Sequence, residues 1–366
     1  GREVAGKYTA KEITVLEGLE PVRKRPGMYI GSVDSNGLHH LLWEIVDNSV
    51  DEAMNGHCDR IEVTLAADGE TLRVSDDGRG IPVDTHPKYK KPAVELILTT
   101  LHAGGKFESK NYYHSGGLHG VGASVVTALS DRMTVSVRRE GAEWEQSFSR
   151  GKAAGKLKRV RSARGTGTTI EFHPDREIFP QIRFNPGVIR ERLEAKAYLH
   201  KGLTVVFHDQ VGGESHSFHY DDGIRAYLEK RLATGKARRV PAEIFYASRD
   251  ADGVHVECAL AWTEETSESI SSFVNSIPTG DGGTHENGLR SGLVKAVRSY
   301  LDIHNLVPRG LQIAAEDVRE GVVGLLSCFV PAPQFQGQTK DKLNNPELVP
   351  LIDAFIRSSL ENWLLG

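Results

Sequence analysis

Residues 36–56 read NGLHHLLWEIVDNSVDEAMNG, and the periodicity of this stretch decides what kind of fold the chain can adopt. Leu38, Leu42, Ile45, Val46 and Ala53 recur at helical spacing and make one apolar face, and Gly56 is a natural helix stop. His40, Glu44 and Asn48 fall at i, i+4 and i+8 and share another face, which Asp51 and Glu52 continue. A solvated, charged face on a surface helix is the plain explanation of such a stripe. The chemical explanation is a catalytic face. A Glu can orient or deprotonate a water and a His one turn away can steady it. The amide oxygen of an Asn suits Mg²⁺, which prefers oxygen ligands and keeps several waters.

Beyond this helix, residues 60–66 and 71–75 are strand candidates joined at Asp68-Gly69, a hairpin signal. The second strand runs into Asp76-Asp77-Gly78-Arg79-Gly80-Ile81-Pro82. A carboxylate at a strand end followed by two glycines lets the backbone turn sharply and approach a ligand closely. That carboxylate can accept a hydrogen bond from an exocyclic amine such as that of adenine, although Asp-Gly turns are common without any such role. A glycine-rich section, 78–122, contains a helix candidate at 93–101 and ends in Ser115-Gly-Gly-Leu-His-Gly-Val-Gly122. Helical pattern resumes at 121–129, so these glycines bring backbone N–H groups to a helix N-terminus, a ready anion site. No strand directly precedes the run, which excludes a dinucleotide fingerprint. Gly104-Gly105-Lys106-Phe107 lacks the Ser or Thr of a P-loop. Lys106 and Tyr112 lie in this polar, glycine-rich loop, which reads either as a linker or as a lid over phosphates.

Strands are expected at 133–138, 143–149 and 168–172, then a helix at 186–199 and strands at 204–208 and 215–220. This mixture implies an α+β sandwich. A second unit begins near Asp222, with strands at 254–263, 269–275 and 321–330, a helix at 286–304 and a closing helix within 346–365. The basic stretches 156–164 and 230–239 read as solvated loops.

Composition sets outer bounds. The 366 residues are 39% hydrophobic and 26% charged, a globular balance that suits two domains. A net charge of -4 does not announce a dedicated nucleic-acid module, and no apolar run approaches a membrane span. Cys58, Cys258 and Cys328 have no paired spacing, which points to a reducing cytoplasm without disulfides or a zinc site. The chain starts on Gly rather than Met, so a fragment of a longer protein is expected.

Singly each motif is ambiguous, but their order is not. Glu-x-x-x-Asn on a helix, Asp-x-Gly-x-Gly after a strand, the long glycine loop, and Gly165-Thr166-Gly167-Thr168 before a strand follow one another. This order resembles the GHKL ATPase superfamily, which includes gyrase, the ninety-kilodalton heat-shock chaperone, MutL and sensor histidine kinases. Residues 22–31 (VRKRPGMYIG), 101–107 (LHAGGKF) and 338–343 (QTKDKL) are similar to the B subunits of type II topoisomerases, and the likeness runs from Tyr8 to the last helix.

The resemblance implies an α+β GHKL (Bergerat) sandwich of the eight-stranded kind over 1–220, including an N-terminal arm, and a β-α-β transducer domain over 221–366. It implies ATP and Mg²⁺ as cofactors. Glu44 is then the general base supported by His40, and Asn48 ligates Mg²⁺ together with the phosphates. Asp76 takes the adenine amino group with help from Thr168 through water, and Gly80 and Ile81 are among the nucleotide-binding residues. Gly117, Leu118, His119, Gly120, Val121 and Gly122, with Lys106 and Tyr112, enclose the phosphates. Gln338 and Lys340 reach the γ-phosphate, and Tyr8 crosses to the nucleotide of a partner copy. Arg79 and Arg139 border the pocket that aminocoumarin-type inhibitors occupy. Further implications are a homodimer gate closed by ATP, a DNA segment as the transported partner, an A subunit engaged through a missing C-terminal region, and no membrane. No toprim-like region is present, so the chain alone is expected neither to cleave nor to supercoil DNA. The supercoiling and decatenating members of the family share these motifs. A regulatory nucleotide-binding module without turnover is the rival of another class, and Glu44 argues against it.

Overall fold

The structure, a computed structural model, describes residues 9–12, 14–103, 122–235, 238–240, 243–337 and 340–366. The chain divides into two compact units, Gly1–Asp221 and Asp222–Gly366.

In the first unit, helix α1 (Ser35–Met54) starts where the Asp34 carboxylate accepts hydrogen bonds from the Asn36 and Gly37 amides. The five apolar-face residues are all buried. The helix is nevertheless not two-sided: His39, Asp47, Ser49, Asp51 and Glu52 are buried as well. Polar groups turned into the protein need partners, so this helix is a hub rather than a surface element.

The chain continues through β1 (Arg60–Leu65), β2 (Leu72–Asp76), α2 (Ala93–Thr99), α3 (Gly122–Ala128), β3 (Ser130–Arg139), β4 (Ala142–Ser149), β5 (Lys152–Ala153), β6 (Lys158–Ser162), β7 (Gly167–Pro174), α4 (Pro186–Leu199), β8 (Thr204–Asp209) and β9 (Glu214–Phe218). These build a nine-stranded sheet in the order β9-β8-β1-β2-β7-β3-β4-β5, with β6 paired to β4. All pairs are antiparallel except β8 beside β1. Alternation drives the layering: Ile61, Val63 and Leu65 of β1, Leu72 and Val74 of β2, and Ile170 and Phe172 of β7 are buried and join one core with the helices. Asp76 occupies the next inward position after Val74, so a carboxylate sits in a row otherwise made of hydrocarbon.

Three local expectations need correction. Residues 158–162 are a strand, not a loop, although all five side chains are exposed. An edge strand carrying Lys158, Arg159 and Arg161 resists pairing with other chains and carries no apolar alternation to reveal it. The basic stretch from 230 begins inside helix α5 (Ile224–Thr234), whose buried side is only Ile224 and Leu228. The helix expected over 93–101 stops at Thr99, because Thr100 is extended (φ −133) and Thr100–Ala103 pairs antiparallel with Thr14–Gly18.

The second unit adds β10 (Phe245–Ala251), β11 (Val254–Trp262), β12 (Ser269–Val274), β13 (Ile277–Pro278), α6 (Thr284–Ile303), β14 (Val322–Phe329), β15 (Phe335–Gln336), β16 (Lys342–Leu343) and α7 (Leu348–Leu365). Its sheet runs β10-β11-β14-β12-β13, with β12 parallel to β14. The strand β10 has no counterpart in the sequence reading. Helices α6 and α7 pack backbone to backbone: a Cβ on Gly288 would meet the Val349 carbonyl at 2.8 Å, and one on Gly292 the Asp353 carbonyl at 2.6 Å. The hairpin β15–β16 pairs Phe335 with Leu343 and Gln336 with Lys342, and its connection spans residues 337–341.

Candidate nucleotide site

Three separate motifs meet on α1. First, the stripe: His40 Nε2 lies 2.8 Å from Glu44 Oε1, and the two side chains are 16% and 14% exposed. Asn48 follows one turn later and is half-buried. A carboxylate held by an imidazole is suited to taking a proton from a bound water.

Second, the strand-end carboxylate. Ser49 Oγ donates to Asp76 Oδ2 at 2.5 Å, and the Gly78 amide donates to Asp76 Oδ1 at 2.9 Å. Asp76 is 9% exposed. Burial pushes its carboxyl above the usual carboxylate range, and the Ser49 and Gly78 bonds pull it part of the way back. A carboxylate oxygen accepts more than one hydrogen bond, so this buried acceptor retains capacity for a donor supplied from outside.

The turn after Asp76 is pinned from both sides. From α1, Glu52 accepts from the Arg79 amide at 3.0 Å and pairs with Arg79 Nη2 at 2.7 Å. From β7, Thr168 Oγ1 accepts from the Ile81 amide at 3.1 Å, and Thr168 stands opposite Asp76 in the sheet register. Gly80 has φ 84 and a Cβ there would meet the Arg138 carbonyl at 2.8 Å, so only glycine fits. Arg139 Nη1 donates to the Gly80 carbonyl at 2.7 Å.

Third, Gly122 opens α3 against α1, where a Cβ would overlap the second oxygen of Glu44. The end of the glycine run therefore abuts the carboxylate of the stripe. Behind the site, Lys196 of α4 is buried and forms an ion pair with Asp47, 2.9 Å from its Oδ1. Burial draws the Lys196 ammonium below the usual lysine range, while Asp47 acts to hold its charge. Arg192 of the same helix stacks over Trp43, 4.8 Å from the ring centre, and the Asn185 amide donates to His39 Nε2 at 3.0 Å.

The structure thus gathers His40, Glu44, Asn48, Asp76, Gly80, Ile81, Gly122 and Thr168 around α1 and the strand ends. Lys340 belongs to the second unit, is buried, and has φ 60. Tyr8, Lys106, Tyr112, Gly117, Leu118, His119, Gly120, Val121 and Gln338 lie outside the described residues. Ser49 and Lys196 are not found by sequence reasoning. Ser49 is one polar residue among many on a helix, and its partner is 27 residues away. Among the described residues no group of three or more His, Cys, Asp or Glu side chains could cage a metal. A single amide oxygen supplemented by substrate phosphates is an arrangement that Mg²⁺ accepts. Among the described residues no helix is long and apolar enough to cross a membrane.

Residues 33–178 match the family profile described as histidine kinase-, DNA gyrase B- and HSP90-like ATPase, and residues 223–366 match that of DNA gyrase B. The B subunit of DNA gyrase from Haloferax volcanii is 46% identical over 97% of this chain and 56% of its own length. The B subunit of DNA topoisomerase 4 from Pseudomonas aeruginosa is 46% identical over 98% of this chain and 56% of its own length. The chain therefore spans about half the length of the curated relatives it matches. Among solved structures, the 43K ATPase domain of Thermus thermophilus gyrase B in complex with an aminocoumarin is 40% identical, with a TM-score of 0.80 over 96% of this chain and 90% of that one. The topoisomerase IV ATP-binding domain of Francisella tularensis in complex with a small-molecule inhibitor is 36% identical, with a TM-score of 0.81 over 97% and 94%.

Proposed function

The chain belongs to the DNA gyrase B family, as its GHKL-type ATPase region, and from that premise we propose that it hydrolyses ATP with Glu44 as general base. His40 holds the Glu44 carboxylate toward the attacking water, and Asp76 accepts from the adenine amino group. Asn48 would hold Mg²⁺ together with the phosphates, where the ion neutralises the charge of the polyphosphate. The observation that carries the reading is the Ser49–Asp76 bond at 2.5 Å. It ties the base-recognising carboxylate to the residue next to Asn48, so recognition and hydrolysis are held by one helix. Gly122 against Glu44 supports the same reading, because it brings the glycine run to the reacting end. Lys106, Tyr112, Gly117, Leu118, His119, Gly120 and Val121 complete the phosphate site in this reading. Gln338 and Lys340 contact the γ-phosphate, and Tyr8 reaches the nucleotide of a second copy. The adenine pocket beside Arg79 and Arg139 is the site proposed for aminocoumarins.

In the whole protein this ATPase acts as a dimerisation gate that captures a DNA segment for strand passage and negative supercoiling, in the cytoplasm and with the gyrase A subunit. The 46% identity to the B subunit of a topoisomerase 4 favours the decatenating counterpart as the second reading. Supercoiling against decatenation by the whole protein separates the two. The ATPase assignment is tested on Glu44→Gln, which should keep ATP binding and lose ~10²–10⁴-fold in turnover. Near-parental turnover by that variant removes Glu44 from the mechanism.

A further inference from the structure

The second unit holds a joint between the Lys340 hairpin and helix α6. Residues 279–283 lead from β13 into α6. They are fastened to the hairpin at two points: the Asp281 amide donates to the Asp341 carbonyl at 2.8 Å, and the Leu343 amide donates to the Gly282 carbonyl at 3.1 Å. Gly283 also bridges Leu343 in parallel register. The fastened residues are thus the first and third after Lys340. On the other side, the Asn287 amide donates to the Gly283 carbonyl at 3.1 Å, and Ser272 Oγ donates to Glu286 Oε2 at 2.7 Å, so the strap is continuous with the first turn of α6.

Only glycine allows this docking. Gly283 has φ 137, and a Cβ there would meet the Leu343 amide nitrogen at 2.6 Å and its carbonyl carbon at 2.9 Å. These are backbone atoms and cannot swing away. Gly282 has φ 71, and a Cβ there would meet Glu286 Oε2 at 2.7 Å. Downstream, the close contact of Gly288 and Gly292 with α7 welds the two long helices, and Lys295 Nζ meets Asp353 Oδ2 across them at 2.8 Å.

We propose that Gly282 and Gly283 are positioning residues for ATP hydrolysis: they let the strap lock the hairpin to α6, so that Lys340 is held where it can tell ATP from ADP and its placement is passed to α6 and α7. The proposal rests on the reading of Lys340 as the γ-phosphate contact. A differential contact at one phosphate shifts a domain only if the contacting residue is rigidly joined to it.

The test compares the full chain with Lys340→Ala and Gly283→Ala. Steady-state turnover is measured together with affinity for ADP and for a non-hydrolysable ATP analogue by titration calorimetry. Gly283→Ala should lower kcat about 10- to 100-fold, the scale of a misplaced reacting group. It should shrink the preference for the analogue over ADP to the level of Lys340→Ala while leaving ADP affinity unchanged. A merely structural role for Gly283 lowers the melting temperature and leaves that preference alone. If Lys340→Ala keeps the parental preference, the reading of Lys340 falls and the strap proposal falls with it. If Lys340→Ala loses it and Gly283→Ala keeps it, the strap proposal alone is wrong. Should Gly283→Ala fail to fold, amide exchange in the parent decides. Slower exchange of the Asp281, Leu343 and Asn287 amides with the analogue than with ADP supports the joint, and equal exchange overturns it.

Discussion

Asp76, the residue proposed to recognise adenine, is buried at the expense of stability. Its carboxyl titrates above the usual range because burial disfavours the charge. The folded state then binds the proton more tightly than the unfolded chain, so this group's contribution to stability falls as pH rises through its folded value. A neutral isostere removes that burden. Asn at this position still accepts from the Gly78 amide, and its amide group can donate to Ser49 Oγ. Asp76→Asn should therefore melt at an equal or higher temperature than the parent without ligand at neutral pH. It should bind ADP on the order of 10- to 100-fold more weakly, the worth of a hydrogen bond to a charged acceptor. A lower melting temperature together with intact affinity contradicts both halves. The same residue marks what a sequence can disclose. Glu44, Asn48 and Asp76 stand at spacings that local geometry converts into faces and strand ends. Ser49 gains its meaning only from a strand on the far side of a turn.

At the scale of elements, α1 is held to α4 by a buried charge pair rather than by hydrocarbon alone. Removing Lys196 leaves Asp47 buried without its cation, and breaking such a pair typically costs ~3–5 kcal/mol. Lys196→Met should lower the urea midpoint accordingly, and adding Asp47→Leu should restore most of it. A single variant as stable as the parent shows that the pair is not holding the helices. In the second unit, the first turn of α6 buries His285, whose Nε2 meets Thr279 Oγ1 at 2.9 Å. Burial, with the Arg290 charge adding to it, lowers its pKa to about 4. A base with a depressed folded pKa must be deprotonated to fold, so the protein loses stability as pH falls from about 6.5 towards 4, on the order of 3 kcal/mol in all. Urea midpoints taken across that range should slope downward with acid, and His285→Gln should flatten the slope. Elements with apolar periodicity were legible: α1, α4, α6 and β11 fall close to where the pattern puts them. The strand β6 was not, since all its side chains face water and its existence depends on the neighbouring β4. Nor was α5, whose buried stripe is two residues long.

For the whole molecule the proposed gate makes a mass-action prediction. The nucleotide with three phosphates is the one expected to favour closure, so sedimentation should show a dimer with the non-hydrolysable analogue and monomers with ADP or without nucleotide. A chain equally dimeric in all three conditions rules out a nucleotide-driven gate in this region. The α+β class and the order of motifs were legible because each motif is local. The glycine joint was not, since the collision that forbids a side chain at Gly283 comes from a segment 60 residues downstream in the chain, at Leu343.

The Asp47–Lys196 pair also constrains how this protein can change by descent. Natural domains have a margin of about 5–15 kcal/mol, and loss of one member of a buried pair consumes a large part of it. Neither position can drift alone, because each single step crosses a fitness valley that the paired change avoids. The two sites should therefore be inherited as a unit. In a combinatorial library, apolar residues at position 196 should survive selection mainly where position 47 has already lost its charge.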